Sequence, residues 1–258
     1  MSKKNYFDLT GDVAIVTGAS SGLGVQFSKA LANQGANIAL FARREDRLKE
    51  VKKQIEDEFG VKVEYYVCDV TDSDVVDKQV KKVVEDFGKI DILVNNAGLG
   101  LTAPTENTTN EDWLKMMEIN VNSLFYMARA VSHNMLENGY GRIINLGSIH
   151  SSVALPGGGV TMYSTTKGAV KNLTMSLAVE WAQRGITVNA IGPGYFESEM
   201  TQGVLSNENF TALLKAADPM GRPGKPGELD TALLMFASHE STYTTGQLLS
   251  VDGGWIAV

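Results

Sequence analysis

The chain has 258 residues, 43% of them hydrophobic and 21% charged, with a formal net charge of −7 and a pI near 5.1. That balance fits a soluble globular protein with a substantial core, and its acidity argues against a nucleic-acid binder or a polybasic membrane-surface protein. A lone cysteine, Cys68, excludes an intrachain disulfide and a thiolate-rich metal site; His133, His150 and His239 lack metal-ligand spacing, so no metal is expected.

The opening residues, Met1 to Tyr6, lack the apolar run of a signal peptide, and no stretch is apolar for long enough to suggest a transmembrane helix. A cytoplasmic protein is expected. Val13–Thr17 reads as a buried strand, followed by a helix over Gln26–Gln34. Asn37–Phe41 is the next strand, with a charged helix from about Glu45 to Phe59. Lys62–Val67 and Ile90–Val94 are strands on either side of a helix over Asp74–Phe87. Asn110–Glu137 predicts one long helix, and Arg142–Gly147 a fifth strand. Helices over Thr161–Gln183 and Gly227–Ser238 alternate with strands at Ile186–Ile191 and Gln247–Val251. Such alternation implies an α/β fold: a Rossmann-like, doubly wound parallel sheet of about seven strands with helices on both faces. No repeat or domain-sized composition shift interrupts it, so one domain over residues 1–258 is expected. The connection from Tyr195 to about Met220 is long, and predicts short helices forming a substrate lid.

Two motifs carry chemistry. Thr17-Gly18-Ala19-Ser20-Ser21-Gly22-Leu23-Gly24 lies between the first strand and the first helix, where glycines admit a ligand close to the backbone and a helix N-terminus offers N–H groups to a pyrophosphate. Its spacing, G-x-x-x-G-x-G, differs from the commonest dinucleotide fingerprint. Tyr163 and Lys167 stand at i and i+4, on one helix face, with Cβ atoms roughly 5–6 Å apart. A lysine ammonium there favours ionisation of a phenol whose free pKa is about 10, suiting it to proton exchange with a substrate oxygen.

Together with Asn95-Asn96-Ala97-Gly98, Asn120, Ser148 and Pro193-Gly194, these motifs stand in the order found in the short-chain dehydrogenase/reductase superfamily, which the chain resembles from about Leu9 to Trp255. The resemblance implies a Rossmann-like fold, binding of NAD or NADP, and interconversion of alcohols and carbonyls. It implies a catalytic group of Asn120, Ser148, Tyr163 and Lys167. Tyr163 would be the acid/base, and Lys167 would lower its pKa and bind the nicotinamide ribose. Ser148 would hold the substrate oxygen, and Asn120 a water linking Lys167 to solvent. Duller readings stand beside these. Asn120 also suits a helix irregularity, Ser148 a turn hydroxyl, and Ser151 or Ser152 competes for the serine's place because the interval from Ser148 to Tyr163 is slightly longer than in relatives. The strand-end context Ile143-Ile144-Asn145-Leu146-Gly147-Ser148 favours Ser148.

For the cofactor, the resemblance implies contacts from Gly18, Ser20, Ser21, Gly22, Leu23 and Gly24 to the phosphates. Asp69 and Val70 would lie at the adenine, Asn96, Ala97 and Gly98 at the ribose, and Pro193, Gly194 and Ser198 at the carboxamide. Ala42 stands where an NAD-selective carboxylate would lie, and Arg43 and Arg44 follow it with guanidinium forks suited to a 2′-phosphate, so NADP is favoured over NAD. Both arginines also read as the start of a solvated helix. A basic residue common just before the second glycine in NADP users is replaced here by Ser21. Substrate contacts are expected from His150, Tyr195 and Phe196 as well as Ser148 and Tyr163, although His150 reads more readily as a loop histidine than as a substrate ligand. The stretch after Ile191 looks like that of gluconate 5-dehydrogenases and 3-oxoacyl-carrier-protein reductases. A keto sugar acid or other small ketone is therefore the expected substrate. Alternatives are a hydrophobic or steroid-like ketone, a 3-oxoacyl thioester, and a non-enzymatic dinucleotide sensor. Relatives form tetramers, which Phe125, Trp181 and Trp255 are compatible with; core packing explains them equally well.

Overall fold

In the computed structural model, which describes residues 4–155, 158–196, 201–206 and 208–258, the short runs of Val, Ile and Leu become β1 (Val13–Thr17), β2 (Asn37–Ala42), β3 (Val63–Val67), β4 (Ile92–Asn95), β5 (Gly141–Leu146), β6 (Ile186–Pro193) and β7 (Leu248–Val251). They form one seven-stranded sheet in the order β3-β2-β1-β4-β5-β6-β7 with every neighbouring pair parallel. Strand order reverses between β1 and β4, and a crevice is expected at the carboxyl ends of the strands there.

Side chains alternate across a strand, so a strand covered on both faces must be apolar throughout. Ala14 and Val16 of β1 pack with Phe27, Leu31, Ile38, Leu40 and Phe236, whereas Val13 and Ile15 pack on the other face with Phe41, Val76, Val80 and Val131. Burying each large aliphatic or aromatic side chain stabilises the fold by about 1.5–3 kcal/mol over leaving it exposed. The layers that cover the sheet come from α1 (Gly22–Ala32), α2 (Glu45–Phe59), α3 (Ser73–Phe87), α4 (Asn110–Met117), α5 (Ser123–Asn138), α6 (Thr161–Trp181) and α9 (Asp230–Ala237). The stretch after Tyr195 carries α7 (Gln202–Leu205) and α8 (Glu208–Ala217), the two short helices expected there.

Several boundaries differ from the sequence reading. α1 begins at Gly22 rather than Gln26: glycine is a poor helix former, but the turn after β1 fixes the start regardless. The long helix is not continuous, because a π-helical turn over Glu118–Asn122 separates α4 from α5. The turn contains no proline or glycine to mark a break, and only the polar Asn120, which suits a helix irregularity, hints at it in the sequence. Trp181 is buried in the core, 6% exposed, and so is unavailable to a subunit contact. Asp72 caps α3, accepting the N–H groups of Asp74 and Val75. Among the described residues no helix is long and apolar enough to cross a membrane, and no group of three His, Cys, Asp or Glu side chains is placed to hold a metal ion.

Candidate active site

A cleft of about 920 Å³ runs along the carboxyl ends of the strands, within the range of ligand pockets. One end is the turn after β1, where Gly18, Ser20, Ser21, Gly22 and Leu23 line the cleft. The first N–H groups of α1 have no partner within the helix, and the helix dipole adds partial positive charge. Gly24 does not line the cleft. It lies inside the turn, where a Cβ would stand 2.3 Å from the Gly18 carbonyl oxygen and 2.8 Å from Asn96 Nδ2. Thr17, which the sequence reading left without a role, ties the turn to the end of β4. Its Oγ1 accepts the N–H groups of Asn96 and Ala97, each at 3.0 Å, while Asn96 Nδ2 donates to the Thr17 carbonyl at 2.9 Å. Asn96, Ala97 and Gly98 follow on the cleft wall.

Arg43 and Arg44 line the same end. The Arg44 guanidinium donates to Ser20 Oγ at 3.0 Å and Ser21 Oγ at 2.7 Å, so a cation sits on the glycine turn at the position where the sequence has serine. Arg43 is largely exposed, 4.0 Å from the Asp69 carboxylate. Burial acts to raise the Asp69 pKa, but hydrogen bonds from the Thr71 N–H and Oγ1, with Arg43 nearby, hold it below the usual carboxylate range. Val70 completes this wall.

At the other end stand Ser148, Tyr163 and Lys167. α6 carries the last two on one face, with Lys167 Nζ 5.6 Å from the Tyr163 ring centroid and donating to the Leu146 carbonyl at 2.7 Å. An ammonium has three N–H groups, so two remain for the cleft. Lys167 is buried, and burial alone pulls its pKa down to about 8. The Tyr163 phenol does not follow the expected direction: burial raises its pKa, and the Ser148 hydrogen bond only partly opposes this. Desolvation outweighs the Ser148 hydrogen bond here.

Ser148 is the serine that meets Tyr163. It caps a short turn over Ile149–Ser151, with its Oγ accepting the His150 N–H at 3.1 Å; Ser151 Oγ is held in the same cap by the Ser148 N–H at 3.2 Å. Ser152 points outward, 3.5 Å from Lys171 Nζ. Asn120, in the π-helical turn, accepts the Leu99 N–H at 2.7 Å, and its Nδ2 donates to the Leu99 carbonyl at 2.8 Å and Thr166 Oγ1 at 3.0 Å. Both amide N–H groups are thereby used, so its side chain fixes the loop beside Gly98. Thr166 was not singled out by sequence, although it lies inside the Tyr-x-x-x-Lys motif.

His150 and Tyr195 stand beside Tyr163, with ring centroids 6.0 Å apart for His150 and Tyr163 and 6.4 Å for His150 and Tyr195. Tyr195 also meets Phe210 of α8 at 4.8 Å and Trp255 at 5.2 Å. No local signal gives either contact away, since both depend on distant segments folding back. Pro193, Gly194 and Phe196 line the cleft; Phe196 is buried with its ring against Gly224, so it contributes more to packing than to an open wall. Ser198 lies outside the described residues.

The donor set fits a dinucleotide: backbone N–H groups and two guanidinium groups at one end, a phenol, hydroxyl and ammonium at the other. A family model described as enoyl-(acyl carrier protein) reductase matches residues 18–256. The chain is 42% identical over 254 residues to a gluconate 5-dehydrogenase of Gluconobacter oxydans, covering 98% of each chain. It is 36% identical over 246 residues to a 3-oxoacyl-(acyl-carrier-protein) reductase of Chlamydia muridarum, covering 95% of this chain and 98% of that one. Among solved structures, a gluconate 5-dehydrogenase from Burkholderia cenocepacia in complex with NADP and tartrate superposes with a TM-score of 0.94 at 35% identity, covering 98% of each chain.

Proposed function

The chain belongs to the short-chain dehydrogenase/reductase family, and on that footing we propose that it interconverts a ketone and a secondary alcohol with NADP(H), Tyr163 serving as acid in reduction and base in oxidation. What carries this reading is one cleft that holds a phenol, a hydroxyl and a buried ammonium at one end and Arg43, Arg44 and the α1 N-terminus at the other. NADPH, when bound, supplies the hydride. The turn from Gly18 to Gly24 would hold its diphosphate, Arg43 and Arg44 the 2′-phosphate, and Asp69 and Val70 the adenine. Asn96, Ala97, Gly98 and Lys167 would hold the nicotinamide ribose, and Pro193 and Gly194 the carboxamide. Ser148 Oγ would donate to the carbonyl oxygen while the Tyr163 hydroxyl hands that oxygen its proton. The raised pKa suits that task, because the phenol arrives protonated at neutral pH.

Ser148→Ala is expected to lower kcat by about 10²–10³-fold, as loss of one donor to a developing oxyanion does elsewhere. Ser151→Ala should cost much less, because Ser151 only completes the cap. Wild-type activity in Ser148→Ala would move the role elsewhere. Arg43→Ala and Arg44→Ala are each expected to lower the NADPH-to-NADH ratio of kcat/KM by about tenfold, the worth of one lost charge-assisted contact to phosphate. A wild-type enzyme that prefers NADH would contradict the assignment.

The relatives favour a keto sugar acid as substrate, and the 3-oxoacyl reductase among them supports a thioester as the second reading. NADPH oxidation across keto sugar acids, acetoacetyl thioesters and oxo-steroids separates the two and tests both against a non-enzymatic sensor. We place α7 and α8 over the substrate as a lid. We also propose a homotetramer, for which Phe125, Met175 and Val179 provide apolar surface on α5 and α6, 43%, 48% and 84% exposed.

A further inference from the structure

The inward face of α6 carries two threonines, Thr166 and Thr174, each 1% exposed. A buried hydroxyl costs stability unless it is bonded, and these two are bonded in the same way. Thr166 Oγ1 donates to the Tyr163 carbonyl at 2.8 Å and accepts Asn120 Nδ2 at 3.0 Å. Thr174 Oγ1 donates to the Val170 carbonyl at 2.8 Å and accepts Asn145 Nδ2 at 2.9 Å. Each hydroxyl is turned by its own helix to meet an amide from outside it. Both amides are tied in turn: Asn120 to the Leu99 backbone, and Asn145 through Oδ1 to Asn95 Nδ2 at 2.9 Å. Asn145 directly precedes Leu146, whose carbonyl accepts Lys167 Nζ at 2.7 Å, and lies on the strand that leads to Ser148.

Val170, Leu177 and Trp181 are buried on the same face of α6, but apolar contact is non-directional and lets a helix slide or turn slightly over its sheet. Hydrogen bonds are directional, and two of them about 12 Å apart along the helix axis fix both movements. A slide would carry the two active groups differently. The Lys167 ammonium rides on a flexible four-carbon stem that absorbs a small shift, whereas the Tyr163 hydroxyl ends a rigid ring and moves with the backbone. We propose that Thr166 and Thr174 are positioning residues, which set α6 against the π-helical turn and β5 and so hold the Tyr163 hydroxyl beside Ser148 at the reacting carbonyl. The inference rests on the acid/base reading of Tyr163 above and adds the residues that keep that phenol in place.

Thr166→Val and Thr174→Val keep the shape of the side chain and remove its hydroxyl. Each is expected to lower kcat for the best ketone of the panel by about tenfold, since a displacement of about 1 Å at a reacting group costs as much as about 10²-fold. The Kd for NADPH should stay within about twofold of wild type, because the loss falls on the proton transfer and not on binding. Thr166→Ser and Thr174→Ser, which keep the hydroxyl, should restore kcat. In a Tyr163→Phe background the valine substitutions should cost less than about twofold more, because they act through the phenol that is already gone. Where a valine variant does not fold, alanine at that position, which leaves room for a water on the amide, is measured in its place. An equal loss with and without the Tyr163 hydroxyl would mark a merely structural role and overturn the inference, as would wild-type kcat in both variants. Neither result touches Tyr163 itself. Full activity of Tyr163→Phe alone would instead remove the acid/base reading, and the inference with it.

Discussion

Tyr163→Phe is expected to reduce kcat/KM for ketone reduction by about 10²–10⁴-fold, the usual worth of a positioned acid. The substitution removes one oxygen and keeps the ring, including its edge contact to His150 at 6.0 Å. Ser148 loses a partner but keeps the His150 N–H at 3.1 Å, so the cost to stability should stay near 1 kcal/mol. Steady-state kinetics beside a thermal melt separates the two effects: activity collapses while the midpoint barely moves. A variant that melts like wild type and turns over like wild type would remove Tyr163 from the chemistry.

The second large effect is expected at the opposite end of the cleft. In Gly24→Ala the new methyl would stand 2.3 Å from the Gly18 carbonyl oxygen, closer than real Cβ atoms come, and the obstructing atom is backbone rather than a mobile side-chain end. The turn must open, displacing the α1 N–H groups from the place where a diphosphate would lie. Overpacking of this kind costs about 1–3 kcal/mol of stability, and the KM for NADPH is expected to rise at least tenfold. Gly168→Ala is the control. Gly168 lies inside α6 with nothing within 4 Å of an added Cβ, so alanine there should stabilise the helix by about 0.5–1 kcal/mol. Equal NADPH affinity in both variants would contradict the role given to the turn.

How far the sequence reaches can be judged residue by residue. The seven strands are legible as short β-rich runs between helical patterns, most clearly where both faces are buried, as in Val13–Thr17; the edge strands β3 and β7 are only part-buried and mix in polar residues. The glycine turn, Arg43, Arg44, Ser148, Tyr163 and Lys167 are legible as motifs, and the structure gathers them on one cleft. Less visible is how those residues are held. The π-helical turn at Asn120 is hinted at only by a polar residue in a helical stretch with no proline or glycine, and Thr17 looks like an ordinary strand-end residue until β4 is placed beside it. The rise in the Tyr163 pKa is not legible in the motif alone, since an i, i+4 spacing reports a neighbouring charge but not the burial that raises the phenol. His150 reads as a loop residue and is 7% exposed, because the capped turn after Ser148 directs it inward. Phe210 and Trp255 reach Tyr195 from segments distant in the chain, and no spacing rule could have brought them together.

At the centre of the account is transfer of a hydride to a carbonyl carbon beside Tyr163. NADPH bearing deuterium in place of both hydrogens on the transferable carbon of its dihydronicotinamide ring tests it directly, using the best ketone from the substrate panel. The account predicts alcohol carrying one deuterium on the new carbinol carbon for every NADPH consumed, and none above background from Tyr163→Phe in the same interval. Product without deuterium at that carbon, or undiminished labelling by the phenylalanine variant, would contradict it.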